Sequence, residues 1–150
     1  MIVKVGRRSF LQTAAAAGAG ALLSWRESSA AGESFVARKI TATDRVTLGR
    51  TGIEVSRVAM GSGTRGWGRQ SDQTRMGPDQ LTRLFRYGLD QGLNFWEAAD
   101  QYGSHPYIAR GLQGIDRSKI VILTKTNSES AEGIRKDLER FRKELQTDYI

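Results

Sequence analysis

The chain has no cysteine, which excludes disulfides, thiolate metal sites and a cysteine nucleophile within it. Its single histidine, His105, cannot build a zinc site alone. The apolar run Leu11 to Leu23 counts 13 residues, too few to cross a hydrocarbon core of ~30 Å at ~1.5 Å per residue. A stable membrane anchor is therefore not expected. No tandem aromatics interleave with the basic residues, so the stacking element of a single-strand nucleic-acid binder is missing too. Charge is not strongly one-sided. Of the formal +7, the first 30 residues account for +3 (Lys4, Arg7, Arg8 and Arg26 against Glu27), which leaves +4 for the remainder. A nucleic-acid partner is not expected on that charge alone. What is present suits a soluble globular protein: 39% hydrophobic and 26% charged residues, enough apolar material for a core.

The first segment, 1–31, reads as an export signal rather than part of the fold. A basic start from Lys4 to Arg8 precedes the Ala- and Gly-rich run, and small residues follow at Ser28-Ser29-Ala30-Ala31. Arg7-Arg8-Ser9-Phe10-Leu11 resembles the twin-arginine signature, with Gln12 where a lysine is common. The expectation is a bacterial protein exported folded to the periplasm by the twin-arginine machinery, cleaved after Ala30 or Ala31. The bland alternative is an alanine-rich amphipathic or disordered leader. Residues 32–44 read as a polar linker, and 45–150 as the folded part.

Val46 to Leu48 and Ile53 to Val55 flank Gly49-Arg50-Thr51-Gly52, a hairpin signal. Arg57 to Met60 is the next expected strand. The loop after it contains Gly61-Ser62-Gly63-Thr64-Arg65-Gly66, a weak match to the dinucleotide fingerprint, because no helix begins at its last glycine. The spacing predicts a helix from Pro78 with Leu81, Leu84, Phe85 and Leu89 on one face, stopping at Gly92. Asn94 to Glu97 and Ile120 to Thr124 read as buried strands. Between them Ser104 is a candidate N-cap for a short helix to Leu112. From Ser128, Ile134, Leu138, Phe141 and Leu145 predict a long helix whose other face, Arg135, Lys136, Asp137, Glu139, Arg142, Lys143 and Glu144, mixes signs and reads as solvated. Asp148 to Ile150 reads as the start of a further strand.

Chemistry concentrates where two of these strands end. Glu97, Asp100 and Tyr102 follow one strand, and Lys125 follows the other. Parallel βα units bring such C-terminal ends to one rim. A carboxylate, a phenol and an ammonium gathered there make a proton donor, since the ammonium favours phenolate and the carboxylate holds the ammonium. Each residue has a plain alternative: a rim tyrosine with a buried ring, a strand-end lysine reaching solvent, a polar strand terminus. His105 reads as a helix-terminus or surface residue, and Asp100 as a cap or loop orienter. For Arg65 and Arg69 a flexible surface loop is the competing reading.

At Glu97-Ala98-Ala99-Asp100-Gln101-Tyr102-Gly103 and Thr124-Lys125 the chain resembles the aldo-keto reductases, and the resemblance extends from about Val46 to Ile150. It implies a β-hairpin followed by the N-terminal half of a TIM (β/α)8 barrel. It also implies reduction of aldehydes or ketones to alcohols with NADPH, or NADH, on a small-molecule carbonyl substrate. Tyr102 matches the family's proton donor, Lys125 its lysine, and Gly63 and Thr64 the segment beside the nicotinamide ribose. Glu97 stands where the family has aspartate, which is the main support for a second reading, a non-catalytic cofactor-binding or regulatory relative. A full barrel takes ~250 residues, so the chain is expected to be part of a longer protein and inactive alone. A complete small α/β domain that dimerises is the alternative.

Overall fold

The computed structural model describes residues 39–150; the expected leader and the linker up to residue 38 lie outside them. The hairpin forms from β1 (Arg45–Thr47) and β2 (Glu54–Ser56), antiparallel with Val46 opposite Val55. Its turn needs Gly49 and Gly52, at φ 54° and 74°. The hairpin is fastened by Asn94, whose side chain accepts from the Ser56 N–H (2.6 Å) and donates to the Glu54 carbonyl (3.3 Å). Asn94 directly precedes the strand Phe95–Glu97, so the hairpin lies at the N-terminal end of that strand, away from the rim that carries Tyr102 and Lys125.

That sheet is parallel, ordered β3 (Met60–Gly61), β4 (Phe95–Glu97), β5 (Val121–Leu123). Register places Met60 beside Trp96 and Trp96 beside Ile122. Strand side chains alternate. Trp96 and Ile122 point to the helices α2 (Pro78–Asp90), α3 (His105–Leu112) and α4 (Ala131–Leu145), in a core with Leu81, Phe85, Ile108, Leu112, Phe141 and Leu145. Trp96 is fully buried, its ring 4.8 Å from that of Phe85. Phe95, Glu97 and Leu123 fall on the opposite face, where Leu123 stays 38% exposed. The chain is thus a mixed α/β fold, with strand–helix units laid out as in part of a barrel.

Several boundaries differ from the sequence expectation, each for a local reason. The strand expected over Arg57 to Met60 begins only at Met60, because the N–H groups of Arg57 and Val58 donate to Asp44 and Ala42. The stretch expected as loop up to Pro78 holds a short helix, α1 (Asp72–Arg75). Ser71 and Thr74 cap it reciprocally, with threonine in the place where glutamate or glutamine is usual. α4 starts after Ser130 rather than at Ser128, since Ser130 Oγ accepts from the Gly133 N–H, whereas Ser128 Oγ donates to Asp137. Of its apolar stripe, Phe141 and Leu145 are buried, but Ile134 and Leu138 stay 44% and 43% exposed. Asp148 to Ile150 form no strand; the Tyr149 carbonyl accepts from Arg117 and Thr147 instead.

Candidate active site

Backbone pairing continues past the strand ends and sets the site. The Ala98 N–H donates to the Leu123 carbonyl (2.8 Å), and the Asp100 N–H donates to that of Lys125 (3.0 Å). This holds the 3₁₀ turn Asp100–Tyr102 beside the segment that leaves β5. Gly103 closes the turn at φ 64°, where a Cβ would lie 2.0 Å from the Arg69 carbonyl oxygen. Lys125 Nζ then donates to Tyr102 Oη at 3.0 Å and also pairs with the Glu97 carboxylate. The structure thus brings Glu97, Tyr102 and Lys125 together. Burial pulls the Lys125 pKa down, but the hydrogen bonds and charge of Glu97 and Tyr102 outweigh it, so the pKa is raised and the ammonium persists at neutral pH.

Gly63 and Thr64 have different surroundings. A Cβ on Gly63 would sit 2.1 Å from Tyr102 Cε2, and one on Gly66 2.2 Å from Tyr102 Cδ1. The glycine loop therefore packs against the tyrosine ring. Thr64 instead turns to α1: its N–H donates to Gln73 Oε1, its hydroxyl accepts from Gln73 Nε2, and its carbonyl accepts from the Asp72 N–H. Ser62 donates to the Glu97 carbonyl (2.9 Å) and pairs with Ser104 (2.7 Å), fixing the loop's other end. Arg65, its side chain 81% exposed, pairs with Asp72 at 2.9 Å.

Two sequence readings need correction. His105 does begin a helix, but it is no surface residue. It is 1% exposed, with Nδ1 2.7 Å from Glu144 Oε2, Nε2 2.8 Å from Thr124 Oγ1, and its ring edge-on to Phe141. Burial lowers its pKa, against the raising influence of Glu144 and Asp100. The neutral ring donates from Nδ1 and accepts at Nε2, an assignment made from the network. Nor is the mixed-charge side of α4 simply solvated. Asp137 and Glu144 turn inward, and Arg140 joins both of them to Asp100. Asp100 does orient its loop, through Arg69 (2.6 Å) and Arg140 (2.7 Å). The Arg140 hydrogen bond leads the causes that hold its carboxyl below the usual range.

Acid should loosen this corner. The His105 pKa in the fold lies below its ordinary 6.5, so between the two values the unfolded chain binds more protons. Stability from this residue is complete above about pH 6.5 and falls as pH drops through the folded value. His105→Gln is expected to flatten the decline in urea-unfolding midpoint between pH 7 and 5. An unchanged slope would show that His105 does not titrate this way.

A family profile described as Aldo/keto reductase family matches residues 59–150. Solved structures of similar fold include a putative aldo-keto reductase from Pseudomonas aeruginosa, 28% identical, TM-score 0.59, with 73% of this chain and 45% of that one covered. A Bombyx mori aldo-keto reductase in complex with NADP is 21% identical, TM-score 0.59, with 74% and 37% covered, and shows the fold alone. The chain thus spans less than half the length of the structures it resembles. No curated protein sequence matches it.

Proposed function

This chain belongs to the aldo/keto reductase family, and from that premise we propose that the whole protein is a nicotinamide-dependent oxidoreductase that reduces aldehydes or ketones to alcohols. The observation that carries the reading is Lys125 Nζ shared between Tyr102 Oη and the Glu97 carboxylate. The residues present fit the reacting end of such a cofactor: a phenol and an ammonium, joined by a hydrogen bond, at the rim where β4 and β5 end. A bound NADPH, or NADH, supplies the hydride. Tyr102 donates its proton to the carbonyl oxygen. Lys125 stabilises the negative charge left on Tyr102 Oη, and Glu97 fixes the ammonium in place. Gly63 and Thr64 are the residues of this chain that would lie beside the cofactor.

The test is cofactor oxidation by the full-length protein over a panel of aldehydes and ketones. Turnover supports the reading. Tight cofactor binding with no turnover would sink it in favour of a non-catalytic, cofactor-binding relative, for which the longer Glu97 side chain is the specific support. Glu97→Asp separates these further. It is expected to keep or raise kcat, within about tenfold, because the carboxylate needs only to reach Lys125; a collapse would mean that the extra methylene is required.

Export by the twin-arginine route belongs to the same proposal and rests on Arg7-Arg8-Ser9-Phe10-Leu11. Among the described residues no helix is long and apolar enough to cross a membrane. An N-terminus at Ala31 or Gly32 in the periplasmic fraction is expected, and an uncleaved chain confined to the cytosol would overturn it.

A further inference from the structure

We propose that Arg140 is a positioning residue for this site, tying the loop that carries Tyr102 to the segment that follows Lys125. The inference rests on the oxidoreductase reading above and adds a residue to it from outside the reacting cluster. Its origin is the hydrogen-bond pattern of one guanidinium. Arg140 Nη1 and Nη2 donate to the two oxygens of Asp100 at 2.7 and 2.8 Å, the forked geometry that arginine makes with a carboxylate. Nη2 also donates to Asp137 Oδ1 (2.8 Å), and Nη1 to Glu144 Oε1 (3.1 Å).

Each of those carboxylates holds a different part of the rim. Asp100 stands two residues before Tyr102. Asp137 Oδ2 accepts from Ser128 Oγ (2.6 Å) and Thr126 Oγ1, which pins the chain just after Lys125. Glu144 holds His105, whose other nitrogen meets Thr124, the residue before Lys125. One side chain on α4 is therefore linked to both sides of Lys125 and to the Tyr102 turn. Asp100, Asp137 and Glu144 are only 22%, 17% and 21% exposed, and they share one cation among them, with Arg69 assisting at Asp100 and Glu144. An isolated surface ion pair contributes little, but a partly buried, forked network of this kind sets geometry. The geometry at stake is the 3.0 Å bond from Lys125 to Tyr102, where ~1 Å of slack can cost ~100-fold in rate.

The experiment uses Arg140→Gln and Arg140→Lys in the full-length protein, with two independent readouts. The first is hydrogen exchange, which needs no activity. Arg140→Gln should speed exchange over residues 98–103 and 124–128 by ~10-fold or more, including the Asp100 amide bonded to Lys125, while the interior of α4 keeps wild-type protection. The second is kinetic. kcat for carbonyl reduction should fall ~100-fold with the KM for cofactor within about threefold. Arg140→Lys, which keeps the charge and loses the fork, should recover less than a tenth of the lost rate.

Unchanged exchange in both loops overturns the proposal. So does exchange that rises equally through α4, because Arg140 would then merely hold its own helix. Faster loop exchange with kcat unchanged overturns the positioning role as well. If the wild-type protein shows no turnover dependent on Tyr102, the oxidoreductase reading fails by itself, and hydrogen exchange still decides whether Arg140 joins the two loops.

Discussion

Tyr102→Phe is expected to lower kcat for carbonyl reduction by the full-length protein ~10²–10⁴-fold, the span typical of removing a positioned general acid. Cofactor affinity should change less than about threefold. The ring is retained, so its packing against Gly63 and Gly66 persists and only the hydroxyl is lost. Removing that hydroxyl leaves Lys125 Nζ with its Glu97 partner, so the ammonium is not stranded and the variant should fold as the wild type does. The loss then reports chemistry rather than collapse. Retention of most of the activity would remove Tyr102 from the mechanism and leave Lys125 and Glu97 as an ordinary strand-end ion pair.

Much of this arrangement is legible in the chain before any coordinates. The apolar runs of β4 and β5 and the periodicity of α2 and α4 are strong local signals, and polar residues just past two parallel strands must meet at one rim. Tyr102 and Lys125 lie 23 positions apart, yet the parallel register of β4 and β5 brings their segments to the same rim. The supporting residues carry no such signal. Asp137, Arg140 and Glu144 fall at i, i+3 and i+7, the spacing of any solvated ion-pair ladder, and only tertiary packing turns them toward the Tyr102 loop. His105 is a lone histidine at a helix start, and the groups that enclose it, Phe141 and Glu144 among them, lie more than 30 residues later in the chain. The cap of α1 hides for a different reason, since Thr74 does the work normally given to glutamate or glutamine. The glycine pattern from Gly61 to Gly66 is visible in sequence, but its closest neighbour is a tyrosine ring that sequence spacing cannot place.

That neighbour makes Gly63→Ala the second large effect. An added Cβ would lie 2.1, 2.3 and 2.5 Å from Cε2, Cζ and Cδ2 of Tyr102, far inside van der Waals contact. These atoms belong to a rigid ring, not to the tip of a flexible chain, so the ring must move by about 1 Å or the glycine loop must lift. The first motion separates Tyr102 Oη from Lys125 Nζ, now 3.0 Å apart, and the second removes the packing that seats the ring. A displacement of that size at a reacting group is expected to lower kcat by ~100-fold. Gly66→Ala should act in the same direction, because its Cβ would meet the opposite ring edge at 2.2 Å. The measurement sets kcat against cofactor affinity for both variants. If Gly63 serves to seat the ring, kcat falls while the dissociation constant for NADPH stays within about threefold. If its role is the ribose contact implied by resemblance, affinity falls first and saturating cofactor restores the rate. Wild-type kcat in Gly63→Ala with weakened NADPH binding would therefore return Gly63 to the cofactor and take it away from Tyr102.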